Sequence, residues 1–264
     1  LAAAEPERAE GSSLGRIVGD PIVLIVLYCV GVSIVFLAWP SIDLWFSGAF
    51  YDSLDGFSAG DDPMFRLLRS SGSWAMEAVV TIIVVSILAK IALPRRRSLV
   101  PPNVSLFLLS SLIIATGLLV NVILKDNWGR PRPRDVIDFG GDLPYVEVWR
   151  ISHYCVKNCS FVAGEASSAI WLTALAFVVP RRLRWPVLIV TGLFAAFLSL
   201  NRIAFGGHFL SDVMLSWGLT ALVMAVLYRI IIASPPAWLR NERLEAGLAR
   251  VGNAVRRPFG ASAG

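Results

Sequence analysis

Histidine occurs only twice in the 264 residues and cysteine only three times. So small a supply of soft ligands argues against a zinc or iron centre, and the chemistry read below needs neither metal nor cofactor. Charge is also scarce: Asp, Glu, Lys and Arg make up 16% of the chain, against about 25% in soluble domains. Hydrophobic residues reach 56%, more than a water-facing surface accommodates, so the surplus must face lipid. The fold class that follows is all-α, a polytopic membrane helix bundle. The excess of 24 basic over 19 acidic residues is then a topology signal before it is a sign of a nucleic-acid partner, and none is implied.

Long runs with little or no charge are what the chain does have. Pro21–Pro40 and Leu99–Leu124 carry no charge and are long enough to cross a hydrocarbon core of about 30 Å. Trp74–Leu93, Phe161–Val179, Trp185–Leu200 and Leu210–Ile232 complete an expected set of about six transmembrane helices within residues 20–233. Between the first two spans, residues 41–73 mix Asp43, Asp52, Asp55, Asp61 and Asp62 with Leu44, Trp45, Phe46 and Phe50, as an interfacial segment does. No cleavable signal-peptide pattern precedes the first span, and residues 1–19 read as a polar cytoplasmic arm.

Arginines sort by side. Arg8 and Arg16, Arg95 to Arg97, Arg181 to Arg184, and Arg240 to Arg257 all fall on one face of a six-span layout. The positive-inside rule makes that face, and both termini, cytoplasmic. Residues 234–264 form a basic tail in which Leu244, Leu248, Val251 and Val255 share one helical face, the pattern of an amphipathic helix on a leaflet. The loop 125–160 breaks the rule by carrying Lys and Arg on the outer side. Cys155 and Cys159 lie in that loop and can pair where it meets an oxidising compartment; Cys29 lies in an apolar run and reads as packing.

Three polar clusters fall at span ends on that outer face: Lys125 with Arg132-Pro133, residues 161–165, and Asn201-Arg202 with His208 and Asp212. Lys125, Arg132 and Arg202 supply cations suited to phosphate oxygens. Gly164 at a helix start lets backbone N–H groups approach an anion. His208 is the nucleophile candidate, and Asp212, four residues on, is placed to orient its imidazole. Arg130, Arg134 and Arg150 fit interfacial anchors as well as site residues, and Asp138, Asp142 and Trp128 fit a solvated loop.

In these motifs the chain resembles the type-2 phosphatidic-acid phosphatase family, whose signature is Lys, six residues, Arg-Pro; then Pro-Ser-Gly-His; then Ser-Arg, five residues, His, three residues, Asp. Lys125, Arg132 and Pro133 match the first part, and Arg202, His208 and Asp212 the third, with Asn201 in place of serine. The middle part departs: Val162, Ala163, Gly164 and Glu165 replace Pro, Ser, Gly and His. The resemblance implies a metal-independent phosphatase acting on a lipid phosphate monoester or diphosphate at the outer face of a bacterial-type inner membrane. His208 would attack phosphorus, supported by Asp212, while Lys125, Arg132 and Arg202 hold the phosphate. Ala163 lacks the hydroxyl of the family serine, and the family histidine's proton donation falls to Glu165. His153 is the alternative donor, and Glu165 the alternative partner of an arginine.

The implied partners are a membrane lipid phosphate and the bilayer; candidate substrates are phosphatidic acid, phosphatidylglycerophosphate, undecaprenyl diphosphate and lipid A. Oligomeric state is left open. A lipid-to-lipid phosphotransferase and a catalytically weak lipid-phosphate binder are the rival functions. The vanadate-dependent haloperoxidases share related motifs, but the membrane spans argue against their chemistry.

Overall fold

Asp-Pro pairs start two of the long helices. The Asp20 carboxylate accepts from the Ile22 amide at 2.9 Å and the Asp62 carboxylate from the Met64 amide at 2.7 Å, with proline at the first helical position each time. The computed structural model describes residues 19–260, with side chains to residue 256, so most of the expected arm and the end of the tail lie outside it. In chain order the helices are α1 (Pro21–Ala38), α2 (Ser41–Gly48), α3 (Pro63–Ala92), α4 (Pro102–Lys125), α5 (Gly164–Val178), α6 (Arg181–Ala204), α7 (Leu210–Ala233) and α8 (Asn241–Gly260). Among the described residues no strand forms; two isolated bridges, Asp52 with Gly56 and Val136 with Leu143, pin loops.

Five helices, α1, α3, α4, α6 and α7, are long and apolar enough to cross a membrane. Their outer faces show Leu24, Leu27, Ile34, Ile82, Leu88, Ile113, Val190 and Phe197. The expected fourth span is shorter: α5 is 15 residues by its bounds, about 22 Å, and lies enclosed by α3, α4, α6 and α7. Small polar residues lock it there. Ser167 Oγ lies 2.8 Å from both Thr116 and Thr220 hydroxyls, and the Trp171 indole donates to the Leu108 carbonyl at 3.1 Å.

The second long helix begins at Pro63, eleven residues before the expected Trp74. Its first turns carry Arg66, Arg69, Ser70, Ser71 and Ser73 and read as interface, but the Asp62 cap and packing on α6 carry the helix through them. Gly72 permits that packing, since a Cβ there would fall 2.8 Å from Leu198. At the other end, Lys90 donates to the Pro94 and Arg96 carbonyls, and Glu245 of α8 accepts from Ser98. Residues Asn241–Gly260 of the basic tail form a helix that docks on α3 and α4 with Val251 and Val255 left exposed.

Candidate active site

Four helix ends converge with the outer loop. Lys125 closes α4, Ala163 to Glu165 open α5, Arg202 lies in the last turn of α6 and Asp212 in the first turn of α7. The sharp turn from α6 to α7 uses Gly206 at φ +58°, a region that side chains disfavour. Gly207 follows, and a Cβ there would fall 2.6 Å from the Arg202 guanidinium.

His208 sits at the floor of the convergence, almost fully buried. Its Nδ1 lies 2.7 Å from the Ser160 carbonyl. A carbonyl only accepts, so Nδ1 carries the proton and Nε2 keeps its lone pair. Burial first, then the cations Arg202, Lys125 and Arg132, hold the imidazole well below its usual pKa, hence neutral at pH 7.

Asp212 does not contact His208 in the way its spacing implied. His208 precedes α7, so the one-turn relationship fails. Standing third in the helix, Asp212 turns its carboxylate back to the helix start and accepts from the Phe209 amide at 2.9 Å. The same oxygen accepts from Ser160 Oγ at 2.5 Å, and the other accepts from Arg130 at 2.5 Å. Asp212 and His208 are therefore joined through one residue, Ser160, by its hydroxyl on one side and its carbonyl on the other.

Arg130 is not an interfacial anchor. Fully buried, it donates to the Val146 carbonyl, Ser211 Oγ, Asp212 and Asp43, and lies 4.5 Å over the Phe209 ring. Burial opposes its charge, but the Asp212 and Asp43 carboxylates outweigh that cost and raise its pKa. Asp43 also accepts from the Ser211 amide at 2.9 Å, so α2 is tied to the start of α7. Trp128 packs against Trp149 and Phe161 rather than extending into a solvated loop. Cys155 and Cys159 are joined in a disulfide, directly before Ser160.

The cations Arg202, Lys125 and Arg132 all act on His208. Arg202 is buried, and its Nε lies 3.0 Å from Glu165 Oε2 without the alignment of a hydrogen bond. Arg132 donates to the Asn158 carbonyl at 2.6 Å. Arg69, which lies in the expected interfacial segment, clasps Glu165 with Nε and Nη2 at 2.8–3.2 Å. The Asp62-Pro63 cap signal was the clue that α3 reaches back far enough to deliver it. His153 is exposed on the outer loop.

At the start of α5, Ala163 offers no capping side chain; its amide donates to the Asp212 carbonyl at 3.3 Å. The amides of Gly164, Glu165 and Ala166 precede the first bond of the helix, from Ser167 to Ala163, and a helix start of this kind favours an anion. The space that Gly164 leaves is taken by Asn121: a Cβ there would fall 2.5 Å from its side-chain oxygen. That glycine serves the packing of α5 on α4. Among the described residues, no three His, Cys, Asp or Glu side chains are grouped to hold a metal ion.

Residues 105–235 match the family model of the PAP2 superfamily. A lipid A 4'-phosphatase from Rhizobium leguminosarum is 37% identical over 73% of this chain and 88% of its own length. One from Francisella tularensis subsp. novicida is 33% identical over 79% of this chain and 96% of its own. Among solved structures, a transmembrane PAP2-type phosphatidylglycerolphosphate phosphatase from Bacillus subtilis superposes with a TM-score of 0.52. It covers 79% of this chain and 94% of that one at 20% identity, a likeness of fold.

Proposed function

The chain belongs to the PAP2 superfamily of phosphatases and is a membrane lipid phosphatase, and from that premise we propose that it hydrolyses the 4'-phosphate monoester of lipid A through a phosphohistidine on His208. The substrate is taken from its relatives. The observation that carries the chemistry is the contact of His208 Nδ1 with the Ser160 carbonyl, which leaves the Nε2 lone pair free on a neutral imidazole whose surroundings include the charges of Arg202, Lys125 and Arg132.

Lys125, Arg132 and Arg202 hold the phosphate oxygens, with the first amides of α5 as further donors. His208 Nε2 attacks phosphorus, forming a P–N bond as the P–O bond to the sugar breaks. Charge arriving on the imidazole is balanced by Asp212, which acts through Ser160. The departing sugar oxygen takes its proton from Glu165, at the mouth of the site. Water then attacks phosphorus, giving a proton to the Glu165 carboxylate left by the first step, and the P–N bond breaks, releasing inorganic phosphate and the neutral imidazole. The mouth opens on the face away from the arginine-rich loops, the periplasmic face of an inner membrane.

The test is phosphate release from lipid A, phosphatidic acid, phosphatidylglycerophosphate and undecaprenyl diphosphate, with mass spectrometry locating the phosphate lost from lipid A. Loss from the 4' position, abolished by His208→Ala and unaffected by EDTA, is the expected result. Turnover of another lipid in preference overturns the substrate. More than a few per cent of activity in His208→Ala overturns the covalent mechanism.

A further inference from the structure

Glu165 already holds an anion where the substrate must bring one. Its carboxylate is gripped by the Arg69 fork at 2.8–3.2 Å and touches Arg202 at 3.0 Å. Arg202 is one of the phosphate-holding residues of the reading above, on which this inference rests. We propose that Arg69 is a further phosphate-binding residue, and that Glu165 is a resident anion which the lipid's phosphate displaces from Arg69 and Arg202.

Three features of the contact support exchange over a permanent strut. First, the pair lies at the mouth: the Arg69 side chain is 48% exposed and Glu165 39%, while Arg202 below them is 4% exposed. An ion pair that water still reaches is weakly held. Second, the fit to Arg202 is incomplete. Its Nε–H is buried, within reach of Glu165, and still makes no hydrogen bond. Such a donor is costly to leave unmade, and a tetrahedral phosphate offers oxygens in directions a planar carboxylate does not. Third, Arg69 and Arg202 both pair with this one carboxylate, and Arg132 and Lys125 lie close enough to feel its charge. A phosphate dianion neutralises that surplus better than Glu165 does. Displacement also frees Glu165 from its arginines for the proton delivery described above.

The two members of an ion pair give opposite results if one binds substrate and the other competes with it. Binding of inorganic phosphate to the detergent-solubilised protein, and the KM and kcat for lipid monophosphate, are measured in Arg69→Ala, Arg69→Lys and Glu165→Gln. Arg69→Ala weakens inorganic phosphate binding and raises KM, each about tenfold or more, as loss of a charged hydrogen-bond donor does. Arg69→Lys, which keeps the charge and loses the fork, falls between. Glu165→Gln tightens inorganic phosphate binding severalfold while lowering kcat. If Arg69→Ala and Glu165→Gln shift phosphate binding in the same direction, the pair is a strut between α3 and α5 and the inference fails. It also fails if Arg69 alters binding of free phosphate but not the KM for lipid. Absence of phosphate binding in the unsubstituted protein removes the phosphatase reading along with it, so the two failures are distinct.

Discussion

Arg130 and Asp43 are 87 positions apart in sequence and meet at 2.8 Å, with neither side chain exposed to solvent. Asp43 belongs to α2, the short helix after the first span, and Arg130 to the loop that also carries Arg132 and Ser160. The pair fastens the outer loop to α2, and through Arg130 to Asp212 the floor of the candidate site as well. Removing Arg130 leaves the Asp43 and Asp212 carboxylates buried without their cation, at a cost of about 3–5 kcal/mol, whereas removing Asp43 leaves Arg130 paired with Asp212 and costs less. Asp43→Ala and Arg130→Met are each expected to lower the thermal midpoint in detergent and to reduce turnover. In a double-mutant cycle Asp43→Ala costs much less on the Arg130→Met background than in the unsubstituted protein. Additive losses would show that the two residues act independently, and the fastening role would fall.

The neutral state of His208 has a consequence for stability. Its folded pKa lies below that of the unfolded chain, about 6.5. As pH falls through 6.5 the unfolded chain takes up a proton that the folded one refuses. Stability therefore drops, by at most about 1.4 kcal/mol per pH unit, until the lower folded pKa is reached. Above pH 7.5 both states are neutral and the contribution is fully present. Thermal midpoints measured at pH 7.5 and pH 5 in one detergent are expected to fall further for the unsubstituted protein than for His208→Asn. Parallel losses in the two proteins contradict a buried neutral imidazole.

Much of this was legible in the sequence, for reasons that differ by residue. Charge-free runs gave α1 and α4, because a hydrocarbon core tolerates little else. Lys125, Arg132, Arg202 and His208 were singled out by spacing as candidates, and each terminates or adjoins a helix. What spacing cannot convey is which way a side chain turns. Asp212 at four residues from His208 looked like its orienting carboxylate, yet capping of α7 turned it to Ser160 and Arg130. Arg69 and Asp43 were hidden because hydropathy marks where a chain meets lipid and is silent on polar residues that meet each other. The length of α5 was missed for a related reason: Phe161 to Ala163 are buried and apolar but precede the helix.

Orientation is a separate expectation. Asp142 lies exposed on the outer loop, and Arg97 is exposed on the turn between α3 and α4. With Cys29→Ala as background and Cys155 bonded to Cys159, a cysteine introduced at either position is the sole reactive thiol. A membrane-impermeant maleimide applied to intact spheroplasts is expected to label Asp142→Cys at once and Arg97→Cys only after lysis. The reverse pattern places the mouth of the site on the cytoplasmic face.

Ala163 offers the sharpest gain-of-function test. It occupies the N-cap position of α5 with an extended backbone, φ −73° and ψ 104°, and it has no group to cap with. A serine hydroxyl there has one proton to give and lone pairs to accept with. It can accept from an amide of the first turn and at the same time donate to a phosphate oxygen, so the two roles do not compete. The cap alone is worth about 0.5–2 kcal/mol of stability. The donor adds transition-state stabilisation, and removal of one such donor from an acyl-transfer site costs about 10²–10³ in rate. Neighbours Ile203 and Val213 are apolar and Ala163 is fully buried, so the hydroxyl gains only by turning toward the site. Ala163→Ser is expected to raise kcat/KM on lipid monophosphate at least about tenfold, and the thermal midpoint with it. Ala163→Val, which fills the space without a donor, is expected to lower both. Equal effects of serine and valine would mean that volume alone matters at this position, and the start of α5 would lose its assignment as part of the phosphate site.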